Sequence, residues 1–140
     1  MALYILDSDH LSLYQRGHEA LGQRLLQVSP NQVAITVISA EELIRGRLAQ
    51  IRKATKSQEQ VSSYYWFVRT LEFLRDFTVV SYRAQAEARF QSLLAQKIRI
   101  GTQDLKIAAI VLSQQANLIT RNRQDFERIT GLKFEDWSGL

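Results

Sequence analysis

"YILDSDHLSLYQRG", residues 4–17, begins as a short apolar run and breaks at Asp7, with a second acid at Asp9. A strand leaving the core for water needs only some polar residue, and Asp is a common one. Asp7-Ser8-Asp9 therefore reads either as a turn with a helix cap or as the first piece of a metal site. The deciding question is how the other strands end. Strand-like runs are LYIL at 3–6, VAITVI at 33–38, FTVV at 77–80, LIT at 118–120 and a short fifth candidate, LKF, at 132–134. Between them, Ala40, Leu43, Ile44, Leu48 and Ile51 recur at helical spacing within 39–53, and Val61, Tyr64, Tyr65, Val68 and Leu71 do so within 57–75. Two more helices are expected at about 83–98 and 103–116. Short buried strands alternating with helices predict an α/β fold: three α/β/α layers with a central parallel sheet of four or five strands.

At 140 residues the chain is expected to form a single domain, 1–140, and it carries no repeat, low-complexity tract or linker. The single proline, Pro30, lies in the polar SPNQ, which reads as a loop. With no cysteine, neither a disulfide framework nor a Cys-ligated zinc site is possible, and a reducing cytoplasmic location is expected. MALYIL meets Asp7 too early for a signal peptide or a membrane span. The net charge of +4 suits a polyanionic partner without demanding one. Arg45, Arg47, Arg52, Lys53 and Lys56 form one basic cluster and Arg121, Arg123 and Arg128 another. Each reads as a solvated helix face or as a nucleic-acid contact. No GxGxxG or Walker-type phosphate loop is present.

In a parallel sheet, ligands bind outside the carboxyl edge, where strand order reverses. Asp7 directly follows LYIL, VAITVI exits into Ser39-Ala40-Glu41-Glu42, and LIT exits into Arg121-Asn122-Arg123-Gln124-Asp125. Three strand ends thus deliver acid to one rim. Capping is a competing explanation for each: Ser39 with Glu42 has capping-box spacing, Asn122 with Asp125 is close to it, and acids favour a helix's first turn. Asp104 is harder to explain so. It shares a stripe with Ile107, Ala108 and Val111, and a carboxylate on a core-facing stripe is costly unless paired, hydrogen-bonded or bound to a cation. A hard divalent cation keeps clustered carboxylates ionised, and an oxygen-only donor set points to magnesium or manganese. Such ions acidify a bound water and stabilise charge on a phosphate in transfer.

Four ordered motifs, YILDSD (4–9), AEELIRG (40–46), IGTQDLKIAAI (100–110) and LITRNRQDFERITGLKFEDW (118–137), resemble those of PIN-domain ribonucleases, and above all the VapC-type toxins of bacterial toxin–antitoxin pairs. The resemblance spans nearly the whole chain. It implies that Asp7, Glu42, Asp104 and Asp125 form a catalytic site for Mg2+, or Mn2+, that hydrolyses RNA phosphodiester bonds by metal-activated water. Ser8, Asp9, Thr120 and Asn122 would support this site, and Arg45, Arg47, Arg121 and Arg123 would hold the RNA. A cognate antitoxin protein and a homodimer are implied as partners. Three positions depart from the pattern or leave a choice. Asp9 stands where the family usually carries Asn. The Leu43 and Gly46 spacing selects Glu42, yet a helical wheel puts Glu41 nearer the apolar stripe. Asn122 occupies a position where many relatives carry an acid, so the fourth role falls on Asn122 or Asp125, or is shared.

His10 and His18 read as polar helix positions rather than general bases. Trp66, with Tyr64, Tyr65 and Phe67, reads as an apolar seam, in the core or on a dimer and antitoxin-binding surface, in preference to a base-stacking platform. Trp137 is expected to pack the C-terminal segment onto the sheet. Two other functions compete: a PIN-like module that binds RNA or a partner without cutting, and a haloacid-dehalogenase-like phosphatase. In the latter Asp7 is nucleophile, Asp9 the acid and Ser39 the phosphate-binding hydroxyl. That pattern is incomplete, because Leu11 replaces the expected Thr or Val and no late paired-acid motif follows.

Overall fold

Five short strands lie side by side, all parallel, in the order β3-β2-β1-β4-β5 in the computed structural model, which describes residues 2–139. They are β1 (Tyr4–Leu6), β2 (Val33–Thr36), β3 (Thr78–Val80), β4 (Asn117–Ile119) and β5 (Lys133–Glu135). The LKF candidate is therefore a true strand, shifted by one residue. Seven helices connect and cover them: α1 (Ser8–Gln15), α2 (Glu19–Leu26), α3 (Val37–Lys53), α4 (Ser57–Arg75), α5 (Ala84–Ala95), α6 (Thr102–Ser113) and α7 (Arg123–Phe126). A single 3-10 turn, Pro30–Gln32, occupies the SPNQ loop.

Alternate strand residues point to opposite faces, and each face has its own core. Ile5, Ala34 and Leu118 pack with Ala86, Phe90, Leu105, Ala108 and Val111 from α5 and α6. Leu6, Ile35 and Ile119 face Leu11, Leu21 and Leu74 from α1, α2 and α4, with Leu43 and Ile44 of α3 alongside. This is the three-layer α/β/α arrangement. Trp137 closes the second core: it is buried and its ring lies 5.0 Å from that of Tyr4.

Strand order fixes where a site forms. From β1 the chain builds outward through β2 to β3, then returns to place β4 on β1's other side, so order reverses between β1 and β4. The two strands part there, and Asp7 N still donates to Ile119 O at 3.0 Å. Asp7 therefore stands at the switch point, at the carboxyl edge.

Several boundaries differ from the sequence pattern. VAITVI is not one strand: β2 stops at Thr36, whose side chain accepts from Ser39 N at 3.1 Å and caps α3, so Val37 and Ile38 belong to the helix. The Ser39–Glu42 capping box is thus replaced by a Thr36 cap. The helix expected to reach 98 ends at Ala95, and that expected to reach 116 ends at Ser113, because Lys97 (φ 58°) and Gln115 (φ 52°) take the left-handed conformation that terminates helices. Helix α2 went unanticipated. His18 caps it, its Nδ1 accepting from Leu21 N at 3.3 Å, and Gly17 at φ 82° turns the chain into it.

Candidate active site

Asp7 is the N-cap of α1, its Oδ1 accepting from His10 N at 2.8 Å, and it is buried. The turn is dictated locally: strand pairing ends, and the Asp side chain satisfies an N–H that the first helical turn leaves free. Capping and site formation are therefore not alternatives here, because the second carboxylate oxygen remains available.

Glu42 reaches the same rim from α3. Ser8 Oγ donates to Glu42 Oε1 at 2.5 Å and lies 2.9 Å from Ser39 Oγ, which in turn lies 3.4 Å from Thr36 Oγ1. A carboxylate only accepts, so Ser8's single proton goes to Glu42 and a file of hydroxyls backs that acid. Glu41 turns the other way: it pairs with Arg45 in the next helical turn and accepts from Gln103 Nε2 at 3.2 Å. Glu42 therefore faces inward to the hydroxyls of Ser8 and Ser39, and Glu41 faces outward.

Asp104 sits in the first turn of α6, half-buried, above Ile107, Ala108 and Val111, which are all buried as their spacing predicts. Burial pushes its carboxyl from the ordinary 3.8 up to about 6, and the charges of Glu42, Asp7 and Asp125 add to the effect. Asp125, in α7, is aimed by Asn122: the Asn122 amide donates to Asp125 Oδ2 at 2.9 Å and Asn122 Oδ1 accepts from Asp125 N at 3.3 Å. Asn122 is held in turn by Thr120, a buried residue whose Oγ1 accepts from Asn122 N at 2.9 Å. The Asn122–Asp125 cap is as expected.

Among the described residues, the grouping with ligand atoms within 4.8 Å of one another is Asp7, Asp9 and His10, not three of Asp7, Glu42, Asp104 and Asp125. Two of the three are otherwise engaged. Both Asp9 oxygens accept from Arg121, from Nε at 2.7 Å and NH2 at 3.0 Å. His10 is not the polar helix position its sequence suggested but fully buried, with Nε2 accepting from Trp137 N at 3.3 Å. Its apolar neighbours Leu11 and Leu13 were the available signal, since they place this face of α1 inward.

The four arginines expected at RNA differ in freedom. Arg45 pairs with Glu41, and Arg123 lies 3.6 Å from Glu127. Arg121 holds Asp9. Arg47 is half-buried and committed: Nε donates to Thr70 Oγ1 at 2.9 Å, NH1 to Gln50 at 3.1 Å and NH2 to Gln15 at 3.4 Å, with Trp66 stacked 5.5 Å away. A cleft of about 500 Å³ runs from Ser8 and Glu42 between α1 and α3 to Arg16 and Arg47.

Trp66 does not enter the core. Tyr64, Tyr65, Trp66, Val61, Val68 and Leu71 are all exposed on α4, whose buried residues are Ser63, Thr70 and Leu74.

This sheet order, with acids gathered at its carboxyl edge, is shared with a known family of α/β domains. The PIN domain family matches residues 4–132. Ribonuclease VapC2 of Rickettsia felis is 30% identical over 144 residues, covering 96% of this chain and 98% of that protein. The VapBC-1 structure from nontypeable Haemophilus influenzae superposes with a TM-score of 0.75 at 28% identity, covering 98% of this chain and 99% of the other. A toxin–antitoxin complex from Klebsiella pneumoniae gives a TM-score of 0.69 at 26% identity over 92% of this chain and 94% of that one. The chain belongs to the PIN-domain family, as a VapC-type member.

Proposed function

We propose that the chain is a divalent-metal-dependent endoribonuclease and the toxin of a toxin–antitoxin pair, with Asp7, Glu42, Asp104 and Asp125 as its metal-holding catalytic acids. The observation that carries this reading is the placement of Asp7, Glu42, Asp104 and Asp125 by the starts of α1, α3, α6 and α7 at one edge of the sheet, near enough for the other three charges to act on Asp104. Acids from four separate elements approach one rim, and their all-oxygen donor set fits magnesium, or manganese. When bound, such an ion acidifies a coordinated water and neutralises charge on the phosphodiester.

The chain's own residues prepare this. Ser8 and its hydroxyl file orient Glu42, and Asn122 with Thr120 orients Asp125. Arg121, Arg45 and Arg123 border the rim with exposed acid partners that an RNA phosphate can displace. Arg47 serves better as the brace joining α1, α3 and α4 beside the cleft. Asp9, held by Arg121, is unsuited to the acid role that the phosphatase alternative requires.

An antitoxin protein as partner is supported by the toxin–antitoxin and VapBC complexes among the structural neighbours. The exposed apolar face of α4 is the surface we assign to a homodimer. No helix among the described residues is long and apolar enough to cross a membrane, and we place the protein in the cytoplasm. The test is incubation of defined RNAs with magnesium and with chelator. Cleavage confined to the magnesium arm supports the reading, whereas RNA binding with no cleavage in either arm would favour a non-catalytic module.

A further inference from the structure

His10 has no part in the chemistry above, yet it lies fully buried against Asp7. Its Nε2 accepts from the Trp137 backbone N–H, which uses that nitrogen's lone pair and puts the ring proton on Nδ1. Nδ1 faces Asp7 Oδ1 at 3.4 Å and has no hydrogen-bond partner. A buried N–H without an acceptor is costly, and a small rotation of the Asp7 carboxylate closes this gap. Asp136 Oδ1, 3.4 Å from Nε2, is satisfied elsewhere, accepting from Ser138 N at 2.8 Å and Ser138 Oγ at 2.6 Å.

We infer that His10 is a positioning residue: its Nδ1–H orients the Asp7 carboxylate toward the other acids, while Trp137 fixes the ring from its far nitrogen. The C-terminal segment thereby helps to set the acidic site. Trp137 is suited to this, being buried against Tyr4, with the Arg24 guanidinium 5.2 Å from its ring and its Nε1 donating to Glu135 at 3.2 Å. The inference rests on the reading of Asp7 as a metal ligand. Hydrogen-bonded partners of ligating side chains commonly tune metal affinity by about ten- to a hundredfold.

Two substitutions separate positioning from mere packing. His10→Asn keeps a donor near Nδ1 and loses the acceptor for Trp137, whereas His10→Gln keeps an acceptor near Nε2 and loses the donor. Mn2+ binding to the full chain, measured by calorimetry without RNA, should be about tenfold weaker in His10→Gln than in His10→Asn. Equal affinities, or the reverse order, would overturn the inference and leave His10 a clamp for Trp137. Should either variant fail to fold, nitrogen NMR of the unaltered protein decides: Nδ1 protonated, with its resonance moving on addition of Mg2+, is the expected result. A proton on Nε2, or no response to Mg2+, overturns it. Asp7→Asn is the control for the underlying reading. If that variant binds Mn2+ like the parent, the metal assignment itself fails. If it loses Mn2+ while the two His10 variants bind alike, only the positioning role falls.

Discussion

Arg121 grips Asp9 with two hydrogen bonds, 2.7 and 3.0 Å long, and so separates the two acids that open the chain. Asp7 ends the central strand at the switch point. Asp9, one residue into α1, points to an exposed guanidinium. Asp9→Asn removes a charge without emptying the acid cluster, so RNA cleavage should survive within a few-fold of the parent. Initial cleavage rates at matched magnesium check this, and a loss approaching that of Asp7→Asn would return Asp9 to the site.

Glu41 and Glu42 are neighbours in sequence and face different surroundings. Glu42→Gln removes one of the charges acting on Asp104, whereas Glu41→Gln removes only a surface pairing with Arg45 and Gln103. Mn2+ affinity should fall by about tenfold or more for Glu42→Gln and stay near the parent's for Glu41→Gln. A titration showing the opposite order would exchange their roles.

Asp104 gives the metal-free protein a defined pH dependence. Its folded-state value, about 6, lies above the ordinary 3.8, so the folded protein binds this proton more tightly than the unfolded chain does. The resulting contribution to stability is fully present below about pH 4 and is lost as pH rises through 6. Thermal melts in chelator across that window should show a decline in the parent that Asp104→Asn lacks. Parallel curves would mean that the carboxyl is not crowded. Saturating magnesium should raise the parent's melting temperature at neutral pH by mass action.

Much of this was legible in the sequence, and the failures have physical causes. Periodicity located all five strands and the stripe under Asp104, because burial on both faces makes strand runs apolar and a lone acid on such a stripe conspicuous. The end of β2 was missed because VAITVI stays apolar through a strand-to-helix turn, and only Thr36, three residues before Ser39, marks the cap. On α4 the pattern showed which residues share a face but not which way the face points. The buried side belongs to Ser63, Thr70 and Leu74, with Arg47 bonded to Thr70 beneath the apolar stripe. The polarity of His10 suggests solvent, while its two nitrogens are turned inward to Asp7 and Trp137.

That exposed α4 face makes a prediction of its own. Tyr65→Glu with Val68→Glu should leave the melting temperature of isolated chains nearly unchanged, since both side chains are exposed, and should shift the protein toward the monomer in light scattering. A parent that is already monomeric at high concentration would remove the homodimer assignment.

The most direct test of the acidic site is Asp7→Asn assayed on a defined RNA over a magnesium series, with folding verified by circular dichroism. The substitution keeps the size and the capping oxygen and removes one charge, so cleavage at limiting magnesium should fall by about a hundredfold or more, the usual cost of a key electrostatic group. Excess metal should recover part of it. A folded Asp7→Asn protein that cleaves at the parent's rate throughout the series would contradict the assignment of Asp7, and with it the metal-holding rim.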